Sequence, residues 1–174
     1  GKFQFDEAVR IKGNLKTTGV STFAKNTYVE GDFEAAGNTT FSARADIAGT
    51  VTANANVNFS DSHKAKTGII TVAAGKTLVA KNDKNDIAGI NVNGTANVNG
   101  KIGAVKVENG ANLLSETTAV ASTLTVVDGT VSANVFTAEN ADIQIEGNFT
   151  ATGNFNITNK MAVAGNATAE KVNK

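Results

Sequence analysis

The stretch that decides the fold is residues 29–50, VEGDFEAAGNTTFSARADIAGT. It opens on Val29-Glu30-Gly31 and closes on Ile47-Ala48-Gly49, so an aliphatic residue two places before a glycine returns after 18 residues. The same signature occurs another 18 residues upstream, at Ile11-Lys12-Gly13. A fixed period of this length is typical of repeat architectures, in which each repeat forms one coil of a longer stack.

Columns of like residues extend this period towards both ends of the chain. Read at the same interval, they are Ile11/Val29/Ile47, Thr17/Ala35/Ala53, Phe5/Phe23/Phe41/Phe59, Val127/Ile145/Val163 and Ala133/Ala151/Ala169. Each period divides into three hexads, and the first and fifth positions of a hexad lie an even number of residues apart. Both positions therefore face the same side of a strand, which predicts three short strands per coil with inward apolar side chains.

These features predict an all-β fold, a single-stranded parallel β-solenoid of about nine triangular coils of about 18 residues each. At ~4.8 Å per coil, such a rod is on the order of 40 Å long. Glycines at the third hexad position, such as Gly31, Gly37 and Gly100, are expected to turn the corners with positive φ angles. An amphipathic helix would need apolar residues at a spacing of about 3.6 residues. The sequence has no sustained run of that pattern, so we predict no such helix.

We expect a single domain over residues 1–174, with regular coils at 5–59 and 127–174. The interval between these two parts is not a whole number of coils. We expect the excess in two polar, charged loops, near 60–68 and 81–88, that project from corners of the rod.

The formal net charge is zero, from 16 basic and 16 acidic residues, and neither sign forms a long run. Nucleic acids and anionic membranes require a basic patch, so we expect neither as a partner. No apolar stretch approaches the roughly 20 residues of a membrane-spanning helix, and we expect no membrane insertion. Cysteine is absent, which excludes disulfides and Cys-ligated metals. We expect a secreted protein whose signal peptide has already been removed before Gly1.

No motif in the sequence carries catalytic chemistry, and we expect a protein that is not an enzyme and holds no cofactor and no metal. His63 is the only histidine. Its neighbours Ser60 and Asp61 match a catalytic triad in composition alone, because adjacent residues rarely have triad geometry. The segment NDKND, 82–86, offers carboxylates and amides to Ca²⁺ but lacks the spacing of an EF-hand. Both segments are expected to be solvated loops.

Two central segments, TGIITVAAGKTLVA (67–80) and VKVENGANLL (105–114), resemble coils of secreted bacterial β-helix proteins such as autotransporter passengers and adhesins. The blocks at 29–59 and 145–172 are similar in spacing to bactofilins, and equally to β-helical repeats of phage fibres. A bactofilin-like chain implies a right-handed helix that assembles end to end without nucleotide. Strict hexads also fit left-handed hexapeptide solenoids, so the pattern leaves the hand open, with a right-handed coil favoured.

The ends of the chain continue the hexad frame without a terminal amphipathic helix, and an uncapped solenoid end exposes strand edges and an open core. We therefore expect a structural protein that stacks on copies of itself into an extracellular filament, surface fibre or sheath. The residues expected at this interface are Phe3, Phe5, Val9 and Ile11 at one end and Val163, Ala167, Ala169 and Val172 at the other.

Two other functions remain open at this stage. The first is an adhesin-type or phage-fibre-type module that binds glycan or other cell-surface material through flat polar faces rich in Asn and Thr. The second is a cytoplasmic, bactofilin-like scaffold. The low charge and the abundance of Asn and Thr favour an extracellular or cell-surface location.

Overall fold

The computed structural model describes residues 1–138, 143–157 and 160–174. In these ranges the chain is all β, contains no helix, and winds as one parallel β-solenoid of about nine coils at a spacing of about 18 residues. The predicted fold class is confirmed. The block 145–172, which carries part of the family resemblance, includes residues 158 and 159, which lie outside the described residues.

The strands are short because each coil must turn three corners. In chain order they are β1 (Lys2–Phe5), β2 (Val9–Ile11), β3 (Leu15–Thr17), β4 (Val20–Phe23), β5 (Thr27–Val29), β6 (Phe33–Ala35), β7 (Thr39–Phe41), β8 (Ala45–Ile47), β9 (Val51–Ala53), β10 (Val57–Phe59), β11 (Ala65–Val72), β12 (Thr77–Ala80), β13 (Asp86–Val92), β14 (Thr95–Val98), β15 (Gly100–Val107), β16 (Asn112–Val126), β17 (Thr130–Ala138), β18 (Ile143–Ile145), β19 (Asn148–Ile157), β20 (Met161–Val163) and β21 (Asn166–Asn173). The longer strands continue around a corner and so contribute to more than one face.

Three faces, which we call A, B and C, are each formed by strands that pair in parallel from one coil to the next. Face A contains β1, β4, β7, β10, β12 and β14, then the first segments of β16, β17, β19 and β21. Face B contains β2, β5 and β8, the first segments of β11, β13 and β15, the middle of β16, and the last segments of β17, β19 and β21. Face C contains β3, β6 and β9, the last segments of β11, β13, β15 and β16, then β18 and β20.

The spacing of 18 residues holds in the first coils and changes in the middle of the rod. Phe5 pairs with Phe23 at this interval. Further along the chain, paired residues are 21 positions apart between β10 and β12 and 15 positions apart between β13 and β15. Residues 60–64 and 81–85 lie outside the strands in this part. Insertions of this kind are tolerated at corners because the strands on either side keep their register.

The two aliphatic columns that the sequence presents as equivalent lie on different faces of the rod. The column of Ile11, Val29 and Ile47 follows face B, whereas Ile145 and Val163 of the other column follow face C. Val127 does not belong to its predicted column, because Val126 is the residue that pairs with Ile145. The turn after Val126 holds an extra residue, and Asp128 there has a φ of 50°, a conformation that Asp adopts more readily than most residues.

The corner glycines are required for a different reason from the one predicted. Gly100 has a positive φ, as expected, but Gly31 and Gly37 do not. A Cβ on Gly31 would lie 2.8 Å from the carbonyl carbon of Gly13, and a Cβ on Gly37 would lie 2.6 Å from that of Gly19. Most of the corner glycines are therefore required because the backbone of the preceding coil passes too close for any side chain.

Inward side chains fill the rod as columns, which positions the ends described below. The predicted phenylalanine column is confirmed, with ring centroids of Phe23 and Phe41 4.9 Å apart and those of Phe41 and Phe59 5.1 Å apart. The column of Thr17, Ala35 and Ala53 on face C also pairs in register. The same is true of Ala133, Ala151 and Ala169 on face A.

Candidate subunit interface at the end coils

The N-terminal end of the rod is a cross-section through the core, which we call the N-end surface. Its members named from the sequence are Phe3, Phe5, Val9 and Ile11. Phe3 and Phe5 pair with Ser21 and Phe23, which are both buried, so they occupy inward positions of face A. Phe3 is nevertheless 54% exposed, because β1 pairs with β4 on one side and has no described strand on the other. Val9 and Ile11 lie at the equivalent inward positions of face B and are half-buried.

The phenylalanine column reaches the N-end surface, where no described residue covers its last ring. The rings of Phe5 and Phe23 stack with centroids 4.7 Å apart and planes 5° apart. The outer side of the Phe5 ring has no ring against it among the described residues, and the side chain is exposed. Stacked aromatic pairs contribute about 0.5–1.5 kcal/mol beyond area burial. The column therefore ends on a ring with an unused stacking side.

The C-terminal end exposes the same kind of cross-section, which we call the C-end surface. Val163 of β20 pairs with buried Ile145 on face C. Ala167 and Ala169 of β21 pair with Phe149 and Ala151 on face A, and Val172 pairs with Phe155 on face B. Val172 is 54% exposed, although Phe155, one coil further in, is buried.

The structure thus brings the predicted residues together as two separate end surfaces. Sequence reasoning missed two further members, Leu15 at the N-end surface and Met161 at the C-end surface, which are partly buried against the core. Their inward position follows from the pairing of Leu15 with Phe33 and of Met161 with Ile143. The signal was present for Leu15, which occupies the fifth position of its hexad.

A groove on the outer side of face B and the corners beside it is a lateral alternative to the end surfaces. It has a volume of about 450 Å³ and contains Tyr28 between two ion pairs. Arg10 binds Glu30 at 2.7 Å, and Arg44 binds Asp46 at 2.6 Å. The hydrogen bond from Arg44 to Asp46 raises the pKa of the guanidinium. Four of the charged side chains in the groove are paired in this way, and Lys66, which also lines it, forms no ion pair in the described structure. The groove therefore keeps a small net positive charge.

The two loops named as possible chemical sites have structural hydrogen bonds. Ser60 Oγ lies 3.3 Å from His63 Nδ1, but the Asp61 carboxylate makes no hydrogen bond to this histidine in the described structure. Within 82–86, Asn82 Oδ1 accepts a hydrogen bond from the backbone N–H of Lys84. Among the described residues, no group of three or more His, Asp or Glu side chains is placed to hold a metal ion.

A buried asparagine pair organises the corner between faces A and B, and sequence reasoning missed it by treating residues 81–88 as a solvated loop. Asn85 is 2% exposed; it accepts a hydrogen bond from Ala65 N at 2.7 Å and donates to Ala80 O at 2.7 Å. Asn99 Oδ1 accepts a hydrogen bond from Ser115 Oγ at 2.9 Å. Asn99 also donates to Lys81 O. These amides satisfy backbone groups that the irregular corner leaves unpaired.

An exposed ion pair ties the same corner to the next coils. Lys81 Nζ lies 2.8 Å from Glu116 Oε1. The hydrogen bond between them raises the pKa of Lys81 and lowers the pKa of Glu116. Asn97 also donates to Glu116, at 3.4 Å. The pair is solvated, so its role is to hold the loop rather than to perform chemistry.

Comparison with protein-family models, curated proteins and solved structures finds no match to this chain. The resemblance to bacterial surface β-helices therefore stays a prediction, while the solenoid architecture is established by the strand pairing. No helix in the described ranges is long and apolar enough to cross a membrane.

Proposed function

We propose that the protein is a structural building block whose copies stack head to tail, N-end surface on C-end surface, into a filament. One observation carries the proposal: at both ends of the described rod, Phe3 and Val172 occupy inward positions of the core columns and are exposed. Inside the rod, the next coil covers these columns. At each end, a coil of a second copy would cover the columns in the same way.

Two physical effects favour such a contact. Burial of the open columns removes apolar surface from water, at about 25 cal/mol per Å². The edges of β1, β2 and β3 also present backbone N–H and C=O groups that pair with strands on one side alone in the described structure. Strand addition across the junction satisfies these groups through main-chain hydrogen bonds.

The polarity of the rod favours head-to-tail over head-to-head contact. A head-to-tail junction keeps strands on matching faces parallel, as they are throughout the rod. A head-to-head junction makes them antiparallel. Side-chain size agrees, because face A presents Phe3 and Phe5 at one end and the small Ala167 and Ala169 at the other. A head-to-tail contact is heterologous and does not close, so it produces a fibre.

We also propose that this fibre is extracellular or at a cell surface. The proposal assigns the chain no catalytic role, and its partner is the protein itself. The support is compositional: charged residues make up 18% of the chain, and Asn and Thr occupy many outward strand positions. Secretion in the native host, followed by surface proteolysis of intact cells, tests this location. Protection of the protein from the protease in intact cells would contradict it.

The assembly test uses charges placed at the ends, with a matched charge on the side of the rod. Val172→Lys puts a lysine on the C-end surface and Phe3→Lys puts one on the N-end surface. Val20→Lys is the control, because Val20 is also an exposed valine, 46% against 54%, but faces outward on face A. Sedimentation velocity over a concentration series reports the size of each species.

Wild type and Val20→Lys are expected to form long polymers, while each end variant alone is monomeric. An equimolar mixture of Phe3→Lys and Val172→Lys is expected to form dimers and nothing larger, because one intact N-end surface meets one intact C-end surface. Monomers for the wild type at all concentrations would refute the proposal. Equal polymerisation of the end variants and the wild type would also refute it.

A further inference from the structure

The outward side of face A carries no charge along most of the rod. Two ranks of side chains run along it, one from Val20 to Asn166 and the other from Thr22 to Thr168. Within the described ranges, every member of these ranks is Asn, Thr or Ser, except the aliphatic Val20, Val79 and Leu114. We call this the face A surface. Charged side chains occur before it, at Lys2, and at the corners beside it.

The other two faces differ in this respect. The outward rank of face B passes through Arg10, Asp46, Lys66, Asp86 and Lys101. Face C carries charges as well, including an ion pair between Lys16 and Glu34 with atoms 2.9 Å apart. A rod does not need one uncharged side in order to be solvated. The difference in charge between face A and the other two faces therefore indicates that the face A surface contacts a partner.

Several threonine hydroxyls of the face A surface are free to bind that partner, whereas some of its asparagines already bond to protein. Asn38 Oδ1, for example, accepts a hydrogen bond from Asn56 N, and Asn56 Oδ1 accepts one from Thr77 N. In the described structure, the hydroxyl groups of Thr22, Thr40 and Thr95 make no hydrogen bond to protein. A shallow groove of about 470 Å³ runs between the two ranks where they pass Asn38, Thr40, Asn58 and Val79.

We infer that the face A surface binds a neutral polysaccharide. Amides and hydroxyls both donate and accept hydrogen bonds, as sugar hydroxyls do, so either partner satisfies the other in many registers. The side chains of Val20 and Leu114, both exposed, match the apolar C–H faces of sugar rings. No charge has to be desolvated when the surface is covered. The repeat of ~4.8 Å along the rod offers a polymer the same groups at every coil.

A neutral glycan fits this surface better than the other candidate partners. Nucleic acids need a basic patch, and the surface has none. A second copy packed face to face would bury mainly amides and hydroxyls, whereas homodimer interfaces are about 65% apolar. The inference goes beyond the filament, because it concerns the side of the rod and not its ends.

The test measures retention of the protein on neutral and acidic polysaccharides. All variants carry Val172→Lys, so that polymerisation adds no avidity and failure of the filament proposal leaves this test intact. Thr40→Lys with Thr95→Lys places two charges on the face A surface. The control, Thr52→Lys with Thr71→Lys, places them on equally half-buried threonines that pair with each other on face C. Affinity electrophoresis through gels containing dextran, hydroxyethyl cellulose, glycol chitin or alginate gives the retention.

The Val172→Lys protein is expected to be retarded in at least one neutral gel and not in alginate. The Thr40 and Thr95 variant is expected to lose at least tenfold in affinity, and the Thr52 and Thr71 control is expected to lose none. No retardation in any neutral gel would overturn the inference. Equal losses in both pairs would also overturn it. A third outcome would also overturn the inference: the rods pair side by side, and the Thr40 and Thr95 variant prevents this pairing while the control variant does not. The partner of the face A surface would then be a second copy of the chain.

Discussion

The close approach of successive coils at the glycine corners makes a sharp prediction for Gly31→Ala. An added Cβ there would lie 2.8 Å from the carbonyl carbon of Gly13 and 2.9 Å from its oxygen. These are backbone atoms, so no rotamer change relieves the overlap. The same substitution at Gly13 meets nothing within 4 Å, because the described structure has no coil before it. Both glycines follow face B, and neither has a positive φ, so Gly13→Ala is a matched control.

The expected magnitude follows from three terms. Overpacking by one methyl group costs about 1–3 kcal/mol. Separation of the coils weakens the hydrogen bonds from Gly31 N to Gly13 O and from Asp32 N to Asn14 Oδ1, at about 0.5–1.5 kcal/mol each. Alanine also lowers the entropy of the unfolded chain, which contributes about 0.4–1 kcal/mol in favour of folding. The net loss for Gly31→Ala is about 1–5 kcal/mol, whereas Gly13→Ala keeps the favourable term alone.

The assay is urea denaturation followed by circular dichroism, with both variants in the Val172→Lys background so that polymerisation does not contribute. Gly31→Ala is expected to lower the midpoint and the free energy of unfolding, while Gly13→Ala leaves the midpoint unchanged or slightly higher. Equal effects at the two sites would refute the reasoning, because they would show that backbone conformation, rather than the preceding coil, sets the need for glycine.

Three further predictions concern single side chains. Asn85→Ala is expected to lower the free energy of unfolding by about 2–4 kcal/mol, because buried backbone groups lose their partners, whereas Asn58→Ala, at an exposed position where the side chain makes no hydrogen bond in the described structure, has little effect; equal urea midpoints would contradict this. Asn97 Oδ1 is buried without a hydrogen-bond partner, so Asn97→Thr is expected to stabilise the protein by about 1 kcal/mol, and a lower melting temperature would argue against that. The hydrogen bond from Lys16 lowers the pKa of Glu34. The stabilisation from this pair is therefore present above the ordinary Glu pKa and is lost as the pH falls through the lowered pKa. In an NMR titration, Lys16→Met should raise the pKa of Glu34, and an unchanged pKa would exclude the pair as the cause of the shift.

The solenoid fold could be predicted from the sequence because the members of each core column lie one repeat period apart. Phe5 and Phe23 differ by one period, and their even spacing from neighbouring aliphatic positions places both inward. The middle coils were not predictable in the same way, because their offsets of 15 to 21 residues depend on how much chain each corner absorbs. Asn85 illustrates the difficulty: its composition is that of a loop, and its burial depends on unpaired groups from two other coils.

The two candidate surfaces differ in how far the sequence reveals them. The end surfaces follow from extending each column to its last member, which is why Phe3 and Val172 were named in advance. The face A surface was not assigned, because its ranks combine residues that become neighbours through the strand register, such as Val79 and Asn97. The lack of charge on face A can be recognised only after the strand pairing has assigned each residue to a face.

The measurement that tests the central claim most directly is cryo-electron microscopy of the wild-type protein across a dilution series. The proposal predicts filaments one rod wide that lengthen with concentration, with the strand spacing of ~4.8 Å continuing across each subunit junction. Separate rods on the order of 40 Å long at every concentration, the length of about nine coils, would contradict it.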